Sequence, residues 1–193
     1  MSAELALASF GSLMTDGIDL SGRRIFLHGG VDEDTIGKAI RAMYFLADLD
    51  PQAPIELFVS SYGGDLDEAF ALHDVTRTIS CPIHTVALGK CMSAAPMLAA
   101  CGQPGERYAT RHTSFMLHAI SLHGMEGSTV EQIRDTAKET QQSVDDYVSL
   151  LVEYSNKPRS HWARIFKKSS DTYFDAETAL EWGLIDGIWN EKS

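Results

Sequence analysis

Apolar and polar positions follow a repeating rhythm along this chain. From Arg23 onward, short runs that are apolar nearly throughout give way to longer segments in which apolar residues recur every three or four positions, and the cycle then repeats. Ile25 to His28, Ile55 to Ser60, Ile83 to Leu88 and Ser114 to Leu117 are the strand-length runs. Their continuous apolarity predicts strands covered on both faces, as in a parallel sheet. Between them, Asp32 offers an N-cap to a helix whose apolar face is Ile36, Ile40, Met43 and Ala47, and Asp65 to Thr78 reads as a second helix. Pro51 and Pro54 bracket the turn before the second strand, and Pro82 opens the third. A short helix is expected to begin near Ser93; Pro96 suits its first turn, where N–H groups have no intrahelical partner to lose. Val130, Ile133, Ala137, Val144, Tyr147, Val148 and Leu151 then mark one long helix over Thr129 to Tyr154, ended by Asn156, Lys157 and Pro158. Helices around His161 to Phe166 and from Asp175 to Trp182, the latter stopped by Gly183, and a strand near Leu184 to Trp189 complete the order. The alternation predicts an α/β fold of repeated βαβ units around a mainly parallel sheet.

Composition narrows the function classes. A chain of 193 residues that is 44% hydrophobic and 22% charged has the length of one domain and enough apolar material to fill a core. No stretch approaches the roughly 18 apolar residues of a membrane span, and Met1 to Asp16 lacks the basic-then-apolar order of a secretory signal, so a cytoplasmic protein is expected. A formal charge of -11 repels a phosphate backbone, and Arg23 with Arg24 and Lys167 with Lys168 are too few to reverse that; nucleic acid is not an expected partner. Cys81, Cys91 and Cys101 are odd in number and form no Cys-x-x-Cys pair, which predicts buried thiols and neither a disulfide framework nor a zinc site. His28, His73, His84, His112, His123 and His161 show no ligand spacing, so no metal or other cofactor is expected in this chain.

Chemistry-bearing residues cluster at the ends of the predicted strands. In an open α/β sheet, functional groups gather at the carboxyl edge. Here one strand leads to Gly63 and Gly64, the next to Gly89 through Ser93, and the third runs into His118. Crossover connections would place all three on one rim. A serine hydroxyl becomes a useful nucleophile when a neighbouring base accepts its proton, and histidine is the usual base near neutral pH. Ser93 and His118 are the candidates, with a carboxylate needed on the other ring nitrogen to orient the imidazole and balance its charge. Ala94, in a first helical turn, and Gly64, with no side chain in the way, are candidate N–H donors to the oxyanion. Each has a simpler reading: Ser93 as a helix N-cap, His118 as a core histidine, Gly63-Gly64 as a plain turn. For the carboxylate, spacing leaves Asp65, Asp67, Asp74, Asp175 and Asp186 level with Asp171.

A resemblance separates these readings. RRIFLHGGV at Arg23 to Val31 looks like the first strand of the Clp protease proteolytic subunit, and FVSSYGG at Phe58 to Gly64 resembles its strand ending in N-S-P-G-G. ALGKCMSAAPML at Ala87 to Leu98 is similar to its G-x-A-A-S-M-G-A nucleophile turn, FMLH at Phe115 to His118 to its M-I-H, and DTYFDAETALEWGLIDGI from Asp171 to its D-x-F-x-S-A-x-E-A-x-x-Y-G-L-x-D ending. The similarity runs from about Arg23 to Ile188. It implies a serine endopeptidase with the triad Ser93, His118 and Asp171, oxyanion donors at Gly64 and Ala94, and a Clp or crotonase-like fold with a protruding strand-helix handle. Carried over to this chain, it implies one peptidase domain over 1–193, with an N-terminal segment at 1–20 and a handle region at 121–155 through which two seven-membered rings interlock. It further implies unfolded polypeptides or short peptides as substrates and an AAA+ unfoldase as partner, which, and not this chain, would use ATP. The chain departs from the family pattern at Tyr62 in place of Pro, at Met92 and Ala94 around the nucleophile, at Ala119-Ile120 in place of Gln-Pro, and at Ser170 in place of Arg. Other readings remain: a Ser-Lys peptidase using Lys90, an acyl-CoA enzyme of the crotonase kind that needs no nucleophilic serine, a non-catalytic ring subunit, and a phage prohead-type maturation protease.

Overall fold

The computed structural model describes residues 11–121 and 127–189. Three long strands form the centre of the sheet: β2 (Arg24–Val31), β3 (Ile55–Gly64) and β4 (Ile83–Met92), paired in parallel in that order. They are joined by helix α1 (Glu33–Leu49) and helix α2 (Leu66–Thr78), so each connection is a βαβ crossover. A two-residue strand β1 (Ile18–Asp19) adds antiparallel to β2 at one edge. The predicted parallel α/β class is what the structure shows. Both helices start where the sequence placed a cap: the Asp32 carboxylate accepts from Thr35 N–H, and the Asp65 carboxylate accepts from Asp67 N–H.

Beyond its middle, β4 serves two partners. Thr85 to Ala87 pair with β5 (Arg107–Ala109), which pairs onward with β8 (Gly187–Ile188), whereas Lys90 to Met92 pair with β6 (Ser114–Leu117). Strand β6 in turn pairs antiparallel with β7 (Thr172–Asp175). The sheet therefore forks at the end of β4, and the site lies at that fork. Between β4 and β5, helix α3 (Ala95–Ala100) is buried along its whole length; its alanines let it pass close behind the sheet, where Thr85 Oγ1 donates to Ala99 O at 2.6 Å.

Helix α4 (Val130–Tyr154) is the long helix that periodicity predicted, and it opens with a capping box between Thr129 and Gln132. Its two ends differ. Tyr147, Val148 and Leu151 join the core, whereas Val130 and Ile133 remain 63% and 42% exposed. Helices α5 (Arg159–Phe166) and α6 (Ala176–Glu181) follow, and the packed rings of Trp162, Phe174 and Trp182 tie this C-terminal part together. Cys81, Cys91 and Cys101 are free and buried, as expected. The expected N-terminal segment is described only from residue 11, and residues 122–126 of the expected handle region lie outside the described residues.

Candidate active site

Ser93 sits where β4 turns into α3, and its backbone takes φ +58°, one of two positive values among the described non-glycine residues. A side chain in that region costs of order 1–3 kcal/mol and persists only where surroundings over-determine it. They do so here. Ser93 N–H donates to Met116 O on β6 at 2.8 Å, and Ser93 O accepts from the Tyr147 hydroxyl at 2.8 Å. Gly63 completes the turn's bed: a Cβ placed there would fall 2.5 Å from Ser93 Cβ and 2.6 Å from Met92 O, so only glycine fits. The helix begins after the serine, with Ala94 at the cap position and no side-chain cap bond, which removes the reading of Ser93 as an N-cap.

His118 follows directly on β6, whose pairing with β4 carries it to the serine. The imidazole Nε2 lies 2.9 Å from Ser93 Oγ, and Nδ1 lies 2.6 Å from Ala119 O. A carbonyl oxygen can only accept, so Nδ1 carries the proton in the neutral ring. Nε2 then presents its lone pair to the serine O–H, the tautomer that a general base requires. A cavity of about 360 Å³ opens over this pair, lined by Gly64 and Ala94 and, on its apolar side, by Leu66, Ile120 and Phe166.

The two residues named from sequence as backbone donors, Gly64 and Ala94, both line this cavity. Asp65 N–H donates to Val31 O at 2.7 Å. Successive N–H groups of an extended chain point to opposite sides, so Gly64 N–H is directed away from β2. Ala94 N–H has no acceptor among the described residues, and it lies 3.0 Å from where a Gly63 Cβ would be. Gly64, Ser93 and Ala94 thus border one space of substrate size.

Asp171 is not joined to the imidazole. Its carboxylate is exposed and accepts from the Tyr173 hydroxyl at 3.4 Å, while Ala119 O occupies His118 Nδ1. Its backbone position is nonetheless telling. The β6–β7 ladder pairs Ser114 with Asp175 and ends with Leu117 opposite Thr172, the residue before His118 opposite the residue after Asp171. Several of the rival carboxylates have structural tasks: Asp65 caps α2, Asp175 caps α6, Asp74 bonds His73, and Asp186 bonds Arg107. Lys90, the alternative base, has its ammonium 4.9 Å from the centre of the Tyr62 ring. Sequence reasoning missed the part played by Tyr147, which it read as one more apolar helix position; the signal was that a buried tyrosine needs a partner for its hydroxyl. Among the described residues, no three His, Cys, Asp or Glu side chains are grouped to hold a metal ion, and no helix is long and apolar enough to cross a membrane.

Comparison with known proteins gives a consistent result. Residues 16–192 match the family model described as Clp protease. The chain is 33% identical over 183 residues to the ATP-dependent Clp protease proteolytic subunit 1 of Protochlamydia amoebophila, an alignment covering 93% of this chain and 87% of that protein. It is 31% identical over 169 residues to the proteins of the same name from Chlamydia pneumoniae and Chlamydia muridarum, with 88% of this chain and 87% of each covered.

Proposed function

The chain belongs to the Clp protease family as a serine peptidase subunit, and from that premise we propose that it hydrolyses peptide bonds with Ser93 as nucleophile, His118 as base and Asp171 as the orienting acid. The observation that carries this reading is the 2.9 Å contact between Ser93 Oγ and His118 Nε2 at a positive-φ turn facing the cavity. In the first step Ser93 Oγ bonds to the substrate carbonyl carbon as its proton passes to Nε2, and the carbonyl π electrons move onto oxygen. Gly64 N–H and Ala94 N–H stabilise that oxyanion. Its collapse breaks the C–N bond, the amine leaves with the proton from Nε2, and an acyl ester remains on Ser93. Water, deprotonated by His118, then releases the acid and restores the serine. Asp171 enters by displacing Ala119 O from Nδ1, and the pairing of β6 with β7 up to Leu117 opposite Thr172 supports its approach. Clp peptidases require no cofactor of their own in general.

The family is one of ring-forming proteases that work with Clp ATPases. For this chain the proposal is one peptidase domain over 1–193 assembling into two stacked seven-membered rings through the 121–155 handle region, located in the cytoplasm and fed with unfolded polypeptide by an AAA+ unfoldase that consumes the ATP. The exposed Val130 and Ile133 on α4 support a contact there. A fluorophosphonate probe tests the chemistry: it should attach to Ser93 in the native chain and fail to attach in Ser93→Ala and His118→Ala. Labelling that survives His118→Ala unchanged would exclude the histidine as base. Sedimentation showing monomers at every salt concentration would exclude the rings.

A further inference from the structure

The peptide unit between Ser93 and Ala94 has two ends with different tasks. A trans peptide is planar, with its C=O and N–H pointing in opposite directions. Whatever holds the Ser93 carbonyl therefore sets the direction of the Ala94 N–H. The holder is Tyr147, whose hydroxyl donates to Ser93 O at 2.8 Å from a position 54 residues away in the chain. Tyr147 is 2% exposed, and its ring packs against Phe166 with centroids 5.2 Å apart, so the hydroxyl has little freedom to follow a moving carbonyl. Burial also pushes the phenol well above its ordinary pKa, which keeps it a donor throughout the neutral range.

We infer that Tyr147 is a positioning residue for the oxyanion hole: by holding the Ser93 carbonyl it fixes the plane of the Ser93–Ala94 peptide and aims the Ala94 N–H into the cavity. A buried tyrosine could take any nearby acceptor. This one takes the carbonyl of the peptide that joins two cavity-lining residues, Ser93 and Ala94, where the φ of +58° at Ser93 needs external support. Donation to the carbonyl also polarises the amide and makes its N–H a better donor, so direction and strength change together. The inference rests on Ala94 acting as an oxyanion donor, as proposed above.

The test compares three chains: native, Tyr147→Phe, and one with 4-aminophenylalanine at 147, which restores a donor on the same ring. Activity is expressed per site titrated with fluorophosphonate. Removing an oxyanion donor outright costs about 10²–10³ in kcat, and misdirecting one should cost about tenfold. Tyr147→Phe should lower kcat by that factor with KM unchanged, weaken inhibition by a peptide aldehyde in proportion, and be largely rescued by the amino analogue. Leu151→Ala, which removes packing from the same helix but keeps the phenol, should leave kcat per titrated site unchanged. Should Tyr147→Phe fail to fold, 4-fluorophenylalanine supplies a donor-free ring of nearer size for the same comparison. An unchanged kcat in the donor-free chain, a loss confined to KM, or an equal loss in Leu151→Ala would overturn the role of Tyr147 alone. No labelling of Ser93 in the native chain would instead overturn the reading on which it rests.

Discussion

Ser93 and Asp171, the proposed nucleophile and acid, are held very differently. Ser93 is gripped at its N–H by β6, at its carbonyl by α4 and at its hydroxyl by His118, with Gly63 pressed beneath it. Asp171 stands exposed just ahead of β7 with one long contact from Tyr173, although the ladder of β6 and β7 runs up to the residues beside His118 and Asp171. Ser93 is shaped by the core, with the buried Gly63 and Tyr147 against it. Asp171 lies at a surface, where its carboxylate accepts from Tyr173 and is not joined to the imidazole. Under the proposed mechanism the hydroxyl and the base are therefore already paired, and Asp171 is the group that must move.

Substitutions can break the comparison or sharpen it. Ser93→Ala should have the largest effect, a loss of about 10⁶-fold in kcat with the fold intact, since residual rate would come from binding and oxyanion donors alone. Asp171→Asn should cost about 10⁴-fold if the carboxylate reaches the imidazole during turnover. A loss under tenfold would mean that Ala119 O suffices and that the exposed position is the working one. Gly63→Ala probes the bed beneath the nucleophile. Its new Cβ, 2.5 Å from Ser93 Cβ, must displace the turn, and a shift near 1 Å should lower kcat by about 10²-fold, with matching slow fluorophosphonate labelling. Wild-type labelling rates in that variant would show the turn to be more compliant than its contacts suggest.

Asp186 is the smallest and most instructive case, because it is a carboxylate anchored as Asp171 is not. The Arg107 guanidinium donates to it at 2.8 and 2.6 Å, and the N–H groups of Gly105 and Arg107 add two more bonds. Burial alone would raise its pKa; these donors outweigh burial and hold it below the usual value. A group depressed on folding stabilises fully above its unfolded value, about 4, and loses that contribution as pH falls through the lower folded value. Asp186→Asn should therefore lower Tm at pH 7, and the difference from the native chain should shrink as the pH falls below about 4. A difference independent of pH would show that shape, not charge, is what Asp186 contributes.

Much of this was legible in the order of residues, and the exceptions have a common form. Periodicity located β2, β3, β4, β6 and the helices because each long element repeats its own signal many times. It cut β2, β3 and β4 short, ending them at His28, Ser60 and Leu88, whereas pairing with neighbouring strands carries them to Val31, Gly64 and Met92. It gave no sign of β5 or β7, three and four residues whose strand character comes from their partners. The site was legible in the same measure. Ser93 and His118 stood at strand ends and could be paired by chemistry, but choosing Asp171 among equal carboxylates required a family resemblance.

What sequence alone determined is the local and periodic part: which segments coil or extend, where Asp32, Asp65 and Thr129 start helices, and which residue types could do nucleophilic chemistry. Those properties depend on neighbours a few positions away. The tertiary structure decided the contacts that cross the chain: Ser93 with His118, 25 residues on, Ser93 with Tyr147, 54 residues on, and an Asp171 side chain left outside the pair. No local preference encodes them, because they form only when the sheet, α3 and α4 have packed together and excluded the other places those side chains could go.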